Sequence, residues 1–172
     1  MEYKNPMQSL RIEKVVVNIG VGESGEKLVK AENLIQKLTG RKSIRTVSKH
    51  KIPTWNLKKG EPIGCKVTMR GKAAEEFLKR GLMAKDNKLK ASSFDNNGNI
   101  AFGIHEYIDL PGMKYDSEIG IFGLNINTKL ERPGFRISRR HIRSVEIPKK
   151  IQITQKESIQ FFKEKFGVEI EQ

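Results

Sequence analysis

Hydrophobic and polar residues alternate along several stretches of the chain, most regularly from Ile63 to Arg70. In this stretch every second residue is apolar, and the positions between them carry Gly, Lys, Thr and Arg. Because successive side chains of a strand point to opposite faces, the pattern predicts a half-buried strand with a basic, hydroxyl-bearing outer face. Alternation and β-branched runs predict further strands at residues 12–19, 44–48, 89–94, 100–104 and 121–130.

Apolar residues recur at helical spacing in three other segments. The first helix is predicted to run from an N-cap at Ser24 to Gly40, which closes it. The second covers residues 71–82. The third covers residues 155–166, and the capping box Thr154–Glu157 marks its start.

Strands and helices in this order predict an α+β protein, with one domain over residues 1–172 and a mostly antiparallel sheet of four or five strands. The helices are expected on one face of the sheet, which leaves the other face open and basic. The outward positions on that face are Lys14, Asn18, Lys66, Thr68, Arg70, Asn125, Asn127 and Lys129. Cations and short hydrogen-bonding groups suit phosphates and 2′-hydroxyls, so they favour recognition of RNA duplex shape over splayed bases. An ordinary solvated sheet face would also be polar, and that alternative stays open.

Positive charge is concentrated in two parts of the chain. Lys and Arg number 33 against 20 Asp and Glu, which gives a net charge of +13 and a pI near 9.9. Residues 40–72 hold ten basic residues and one acid, and residues 132–150, in a basic irregular arm at 131–150, hold seven and one. Such blocks favour a polyanionic partner, either nucleic acid or an acidic membrane surface. A generic basic chaperone or membrane-surface binder is a less specific alternative, and such a protein would show no preference among RNAs.

The segment 49–61 is a long basic connection between two predicted strands. Long ordered connections are often functional. Its Trp55, the only tryptophan of the chain, has lysines on both sides. Two interpretations of Trp55 stay open. Either the ring packs back onto the core, or it is exposed among cations, where it can stack on a base or ribose.

Residues Gly20–Gly25 form a literal G-x-G-x-x-G between a predicted strand and a predicted helix, which is the dinucleotide-binding fingerprint. The acid expected about twenty residues later to hold the ribose is missing. No Asp or Glu follows Glu32 until Glu61, although Arg41 and Lys42 would suit an NADP-type site. The repeating strand–helix pattern of a parallel sheet is missing as well. An NADP-linked enzyme is therefore the weaker alternative, and a tight strand-to-helix turn accounts for the glycines.

Other chemistry has little support in the sequence. Cys65 lies on the inward side of its strand and is expected to be a core thiol. As the single cysteine it cannot form an internal disulfide, which favours a reducing cytoplasm. The histidines are scattered, no apolar run is long enough to span a membrane, and the N-terminus has no signal-like segment. We therefore expect no metal, no cofactor, no enzymatic activity and no membrane partner.

Five motifs in chain order carry a family resemblance: Arg11–Glu23, Leu38–Lys42, Pro62–Gly71, Phe94–Asn99 and Arg132–Arg136. Together they resemble the ribosomal protein L5 family, which binds 5S rRNA in the large subunit. The last motif and the basic arm after it are similar to the archaeal and eukaryotic branch. The resemblance implies an RRM-like sheet that docks on 5S rRNA in the central protuberance.

The open face and the family's contacts together give candidate residues for RNA binding. Those expected to contact rRNA are Lys14, Asn18, Gly20, Arg41, Lys42, Lys66, Thr68, Arg70, Asn125, Arg132 and Arg136. Those on a loop that the resemblance directs toward the peptidyl-site tRNA are Lys49, His50, Lys51, Trp55, Lys58 and Lys59. Further implied partners are large-subunit rRNA, a neighbouring 5S-binding ribosomal protein and the small-subunit head. The head contact is an intersubunit bridge, expected near Tyr107–Glu118, in a cytoplasmic, ribosome-bound protein.

Overall fold

The computed structural model describes residues 5–171 and has the expected α+β architecture. Its strands and helices, in chain order, are β1 Arg11–Gly20, α1 Glu26–Thr39, β2 Ile44–Val47, β3 Pro62–Met69, α2 Lys72–Met83, β4 Lys88–Lys90, β5 Ile100–Ile104, β6 Leu124–Glu131, α3 Gln155–Phe166 and β7 Glu169–Glu171. Short 3-10 turns and irregular segments connect these elements.

Five strands form one antiparallel sheet in the order β2–β3–β1–β6–β5. The central strand, β1, contains the β-branched run that favours an extended backbone with strands on both sides. Its Val17 lies opposite Val67 of β3 and Ile126 of β6. The strands β4 and β7 pair in parallel as a separate two-stranded sheet. The expectation of a mostly antiparallel sheet is confirmed.

The hydrophobic core lies on one face of the five-stranded sheet. Val15, Val17 and Ile19 of β1 are fully buried, whereas the residues between them remain partly exposed. Helix α1 packs against β3, and α2 packs against β1. The buried positions of the two helices are Leu28, Ala31, Leu34, Ile35, Leu38, Ala74, Phe77, Leu78, Gly81 and Leu82. Burial of these apolar sides covers one face of the sheet and leaves the polar side chains of the other face free for contacts.

Helix α3 begins with the capping box expected from the sequence. The Thr154 hydroxyl accepts from the Glu157 backbone N–H, and the Glu157 carboxylate accepts from the Thr154 N–H at 3.0 Å. Phe162 of this helix is fully buried and meets Phe94 edge to face, with ring centroids 6.0 Å apart. The helix therefore anchors the segment that precedes β5.

Ser24 is not the N-cap of α1, so this detail of the sequence prediction is wrong. Gly25 occupies the cap position at φ +115°, and no side chain caps the helix. The Ser24 hydroxyl instead donates to the carboxylate of Glu61 at 2.8 Å. The same carboxylate accepts the backbone N–H of Lys58 at 2.9 Å. The serine therefore ties the start of α1 to the end of the loop before β3.

Two strand boundaries also differ from the alternating pattern. β6 begins at Leu124, not at Ile121, because the Phe122 carbonyl accepts the N–H of Tyr107 at 3.1 Å in the preceding loop. β4 covers only three residues, and Phe94 makes an isolated bridge to β5. In both places the alternation of apolar and polar residues extends beyond the strand, into residues that do not form continuous hydrogen bonds with a neighbouring strand.

Candidate nucleic-acid interface

The open face of the sheet, away from α1 and α2, brings together predicted RNA-binding residues from three adjacent strands. Asn18 of β1 lies opposite Lys66 of β3 and Asn125 of β6. In the next row whose side chains point to this face, Thr68 of β3 and Asn127 of β6 lie on either side of Val16 of β1. We call these five residues the polar strip. Neighbouring strands lie about 4.8 Å apart, so the strip presents a cation, amides and a hydroxyl at short, regular intervals.

Two paired glycines leave one end of this face without side chains. Gly20 of β1 pairs with Gly64 of β3 in the row next to Asn18. Gly64 is buried, and a Cβ there would lie 2.8 Å from the Ile19 carbonyl oxygen and 3.0 Å from Thr46 Oγ1. Gly20 is exposed, and a Cβ there would have no atom within 4 Å. The backbone at Gly20 is therefore directly accessible, which suits close approach by a nucleic-acid backbone.

Three more predicted contacts lie at the borders of the face. Gly40, at φ +66°, ends α1 and turns the chain so that Arg41 and Lys42 lead into β2, the strand beside Lys66. Both side chains are exposed. Arg70 directly follows β3 and is exposed as well. Arg41 and Lys42 therefore add positive charge before β2, the neighbour of β3, and Arg70 adds it at the end of β3, which carries part of the polar strip.

Lys14 and Lys129 are direct cross-strand partners on β1 and β6. A bulge between Ile12 and Lys14 leaves Glu13 without a partner in the register. The Lys129 ammonium lies 3.3 Å from the Glu13 carboxylate, and the Lys14 ammonium lies 4.0 Å from it. Both lysines are only partly exposed. The pair therefore forms a cationic site fixed in place by a buried acid.

Arg139 of the basic arm completes this cluster. Its guanidinium donates to Glu13 and to Glu131, and Arg11 also pairs with Glu131 at 2.6 Å. Burial raises the pKa of Glu13, but Lys129 and Arg139 together lower that pKa by more, so it lies below its ordinary value. Sequence reasoning missed the cluster because Arg139 and Glu13 are separated by 126 positions. The arm is thus fastened to the edge of the open face.

Two arginines of the motif that begins the arm have different environments. Arg132 is only 9% exposed, and its guanidinium bonds Glu157 at 2.6 Å and the Ile151 carbonyl at 3.2 Å. Burial and pairing give it a structural role, so we remove it from the candidate RNA contacts. Arg136 is exposed on the 3-10 turn Phe135–Ser138 and remains a candidate contact with rRNA.

The loop between β2 and β3 is an ordered hairpin with an exposed tip. The Ser48 N–H donates to the Glu61 carbonyl at 2.8 Å, and a bridge joins Ile52 to Leu57. Leu57 is buried, but Trp55 at the tip is 69% exposed. The interpretation of Trp55 as a core residue is therefore wrong. The basic side chains around it are all exposed: Lys49, His50, Lys51, Lys58 and Lys59.

The segment Tyr107–Glu118 is held against α1. Tyr107 is fully buried, and its hydroxyl accepts the Asp116 backbone N–H at 2.9 Å. Lys37 of α1 pairs with the Asp116 carboxylate at 2.5 Å. Tyr115 remains 59% exposed. The segment therefore presents an ordered surface on the side of α1.

The glycine motif before α1 cannot act as the predicted alternative, a dinucleotide site. The N–H groups of Val21 and Gly22 both donate to the Ile63 carbonyl, at 3.0 and 2.9 Å. They are therefore unavailable to a pyrophosphate, which needs free N–H groups at a helix start. The neighbouring sheet is also antiparallel, unlike a dinucleotide-binding fold.

Cys65 is fully buried, and burial raises the pKa of its thiol to about 11, as befits a core residue. Among residues 5–171 no group of three or more His, Cys, Asp or Glu is arranged to hold a metal ion. No helix in the described part of the chain is long and apolar enough to cross a membrane.

Known proteins are similar to this chain over nearly its whole length. Residues 5–58 match the family model described as ribosomal protein L5, and residues 62–161 match the model of the C-terminus of the same ribosomal protein family. The large ribosomal subunit protein uL5 of Methanococcoides burtonii is 49% identical over 97% of this chain and 99% of its own length. The protein of the same name from Sulfurisphaera tokodaii is 52% identical over 96% of this chain and 94% of its own. The chain belongs to the ribosomal protein L5 family.

Proposed function

We propose that the protein is a non-enzymatic structural constituent of the large ribosomal subunit, and that its open sheet face binds 5S rRNA in the central protuberance. Its relatives are named as large-subunit proteins, and membership of the family supports a structural, non-catalytic role. The finer assignment to 5S rRNA rests on the sequence resemblance and on the chemistry of the open face.

The polar strip is the observation that carries the proposal. Asn18, Lys66 and Asn125 lie side by side across three strands, and the exposed Gly20 beside them leaves its backbone accessible. No aromatic side chain belongs to the strip. Amide and ammonium groups donate hydrogen bonds to phosphate and 2′-hydroxyl oxygens, and this is how proteins read the shape of duplex RNA.

The cations within and beside the strip supply affinity. Within residues 5–171, Lys66 and Arg70 are exposed and have no carboxylate partner in the structure. A cation without an internal partner can neutralise a phosphate at little cost and release its counterions. Affinity for 5S rRNA should therefore fall steeply as the salt concentration rises.

The remaining surfaces suit further partners in the ribosome. The exposed tip around Trp55, with its lysines, is proposed to reach the peptidyl-site tRNA, where the ring would stack on a base or ribose. Arg136 and the arm are proposed to contact large-subunit rRNA. The ordered Tyr107–Glu118 surface is proposed to face the small-subunit head, and a neighbouring 5S-binding protein completes the set.

A matched pair of charge reversals tests the assignment of the open face. Lys66→Glu reverses a cation in the polar strip, whereas Lys79→Glu makes the same change at an exposed position of α2. We expect Lys66→Glu to lower the affinity for 5S rRNA roughly tenfold or more, and Lys79→Glu to change it by roughly twofold or less. Equal losses would mean that net charge, and not the open face, determines binding.

A further inference from the structure

A concavity of about 500 Å³ opens on the same face of the sheet, beside the polar strip. Val16, Asn127 and Ala101 form its floor in one row across β1, β6 and β5. The hydroxyl-bearing residues Ser92 and Ser93, on the turn before β5, form part of its wall. Small-molecule sites in proteins typically measure about 300–1,000 Å³, so the volume suits a ligand of roughly nucleotide size.

The lining of this concavity combines charged and apolar side chains. Lys14 and Lys129 stand together at one end, and the buried Glu13 carboxylate holds their ammonium groups in place. Val16 and Ala101 give the floor apolar surface on either side of the Asn127 amide. Two cations beside such a floor match a ligand that carries an anion next to a flat group with apolar faces and polar edges.

Hydrogen bonds within the protein hold the wall of the concavity in place. Gln155 of α3 donates to the carbonyls of Ala91 and Phe94, at 3.2 and 3.1 Å. In the turn that follows, the Asp95 N–H donates to the Asn99 carbonyl at 2.8 Å, and the Gly98 N–H donates to the Asp95 carbonyl at 3.0 Å. Within the described residues the Ser92 and Ser93 hydroxyls have no hydrogen-bond partner. They are therefore free to bond the edge of a ligand at no cost in ordering the wall.

We propose that this concavity receives one unstacked nucleotide of the bound RNA. Its phosphate lies at Lys14 and Lys129, its base covers Val16 and Ala101, and the serine hydroxyls meet the edge of the base. A bare phosphate would leave the apolar floor exposed to water, so a nucleotide fits the whole surface better. The inference rests on the proposed function and deepens it, because it adds base recognition to a face that the sequence indicated for shape recognition alone.

A set of 5S rRNAs, each with one abasic nucleotide, tests the proposal with the full-length protein. Burial of apolar surface contributes about 25 cal/mol per Å², so loss of a base that covers about 50 Å² of the floor should weaken binding of the wild-type protein roughly eightfold at one abasic position. Ala101→Leu fills the floor and should make the protein insensitive to that position. Thr68→Leu places the same side chain in the same row of the sheet but outside the concavity. It should weaken binding of intact RNA yet keep the sensitivity to the missing base.

The outcomes separate this proposal from the proposed function. Binding of intact 5S rRNA without a sensitive abasic position, or with a sensitivity that survives Ala101→Leu, overturns the nucleotide site and leaves the proposed function standing. Failure of the wild-type protein to bind 5S rRNA overturns both. If Ala101→Leu does not fold, Ser92→Ala with Ser93→Ala replaces it, since these changes add no bulk. A smaller abasic penalty in that variant supports the site, and an unchanged penalty overturns it.

Discussion

Replacing Lys66 and Arg70 together by alanine removes two exposed cations from the proposed 5S rRNA surface. Each phosphate contact contributes about 0.9 to the slope of log affinity against log salt, so the slope should fall by about 1.8 in this variant. Between about 50 and about 200 mM salt, the wild-type protein should therefore lose about tenfold more affinity than the variant. Filter binding or fluorescence anisotropy with labelled 5S rRNA measures both slopes.

The matched control for this variant is Lys58→Ala with Lys59→Ala. It removes the same charge from the loop between β2 and β3, whose lysines are also exposed. Because we assign the loop to tRNA, the control should keep the wild-type slope with 5S rRNA. Equal changes of slope in the two double variants would refute the separate roles of sheet face and loop. Circular dichroism checks that both variants fold.

Four further predictions concern stability and accessibility. Gly64→Ala should lower the free energy of unfolding, measured by urea denaturation, by about 1–3 kcal/mol, because the added Cβ would clash with the backbone of Ile19. In the control Gly20→Ala the added Cβ has no atom within 4 Å, so the loss of stability should be less than half as large. The stability supplied by the ionised Glu13, whose pKa is lowered, is complete above its ordinary pKa and is lost as the pH falls through the lowered value. The stability gap between wild type and Glu13→Gln should therefore narrow in acid, and a constant gap would contradict the ion cluster. Cys65, fully buried, should react with a thiol reagent only after denaturation. Trp55 fluorescence should be quenched by acrylamide in the free protein and protected by tRNA but not by 5S rRNA.

The period of the hydrophobic pattern was enough to predict the five strands of the main sheet and its two faces, but not the short strand β7 that pairs with β4. Val15, Val17 and Ile19 alternate with polar or partly exposed residues, and burial of one set places the other on the open face. Asn18 and Lys66 could therefore be assigned to one surface from sequence alone. Their direct opposition could not, because register depends on how separate strands pair.

Interactions between distant parts of the chain lay beyond the sequence pattern. Arg132 and Arg139 look alike in a basic arm, yet one is buried against Glu157 and the other closes over two buried acids. A count of charges includes every arginine as a possible RNA contact, but these two arginines form ion pairs within the protein. Trp55 could not be placed either, because the same basic loop is compatible with a buried or an exposed ring. In the structure Leu57 is the buried apolar residue of the loop and Trp55 is exposed.

Binding of the purified protein to 5S rRNA, with tRNA and duplex DNA as competitors at two salt concentrations, tests the central claim most directly. We predict a strong preference for 5S rRNA that persists at the higher salt concentration, because the polar strip adds shape recognition to charge. Equal binding to all three nucleic acids, lost together as salt rises, would mean that the net charge of +13 alone accounts for binding and that the open face recognises no particular RNA.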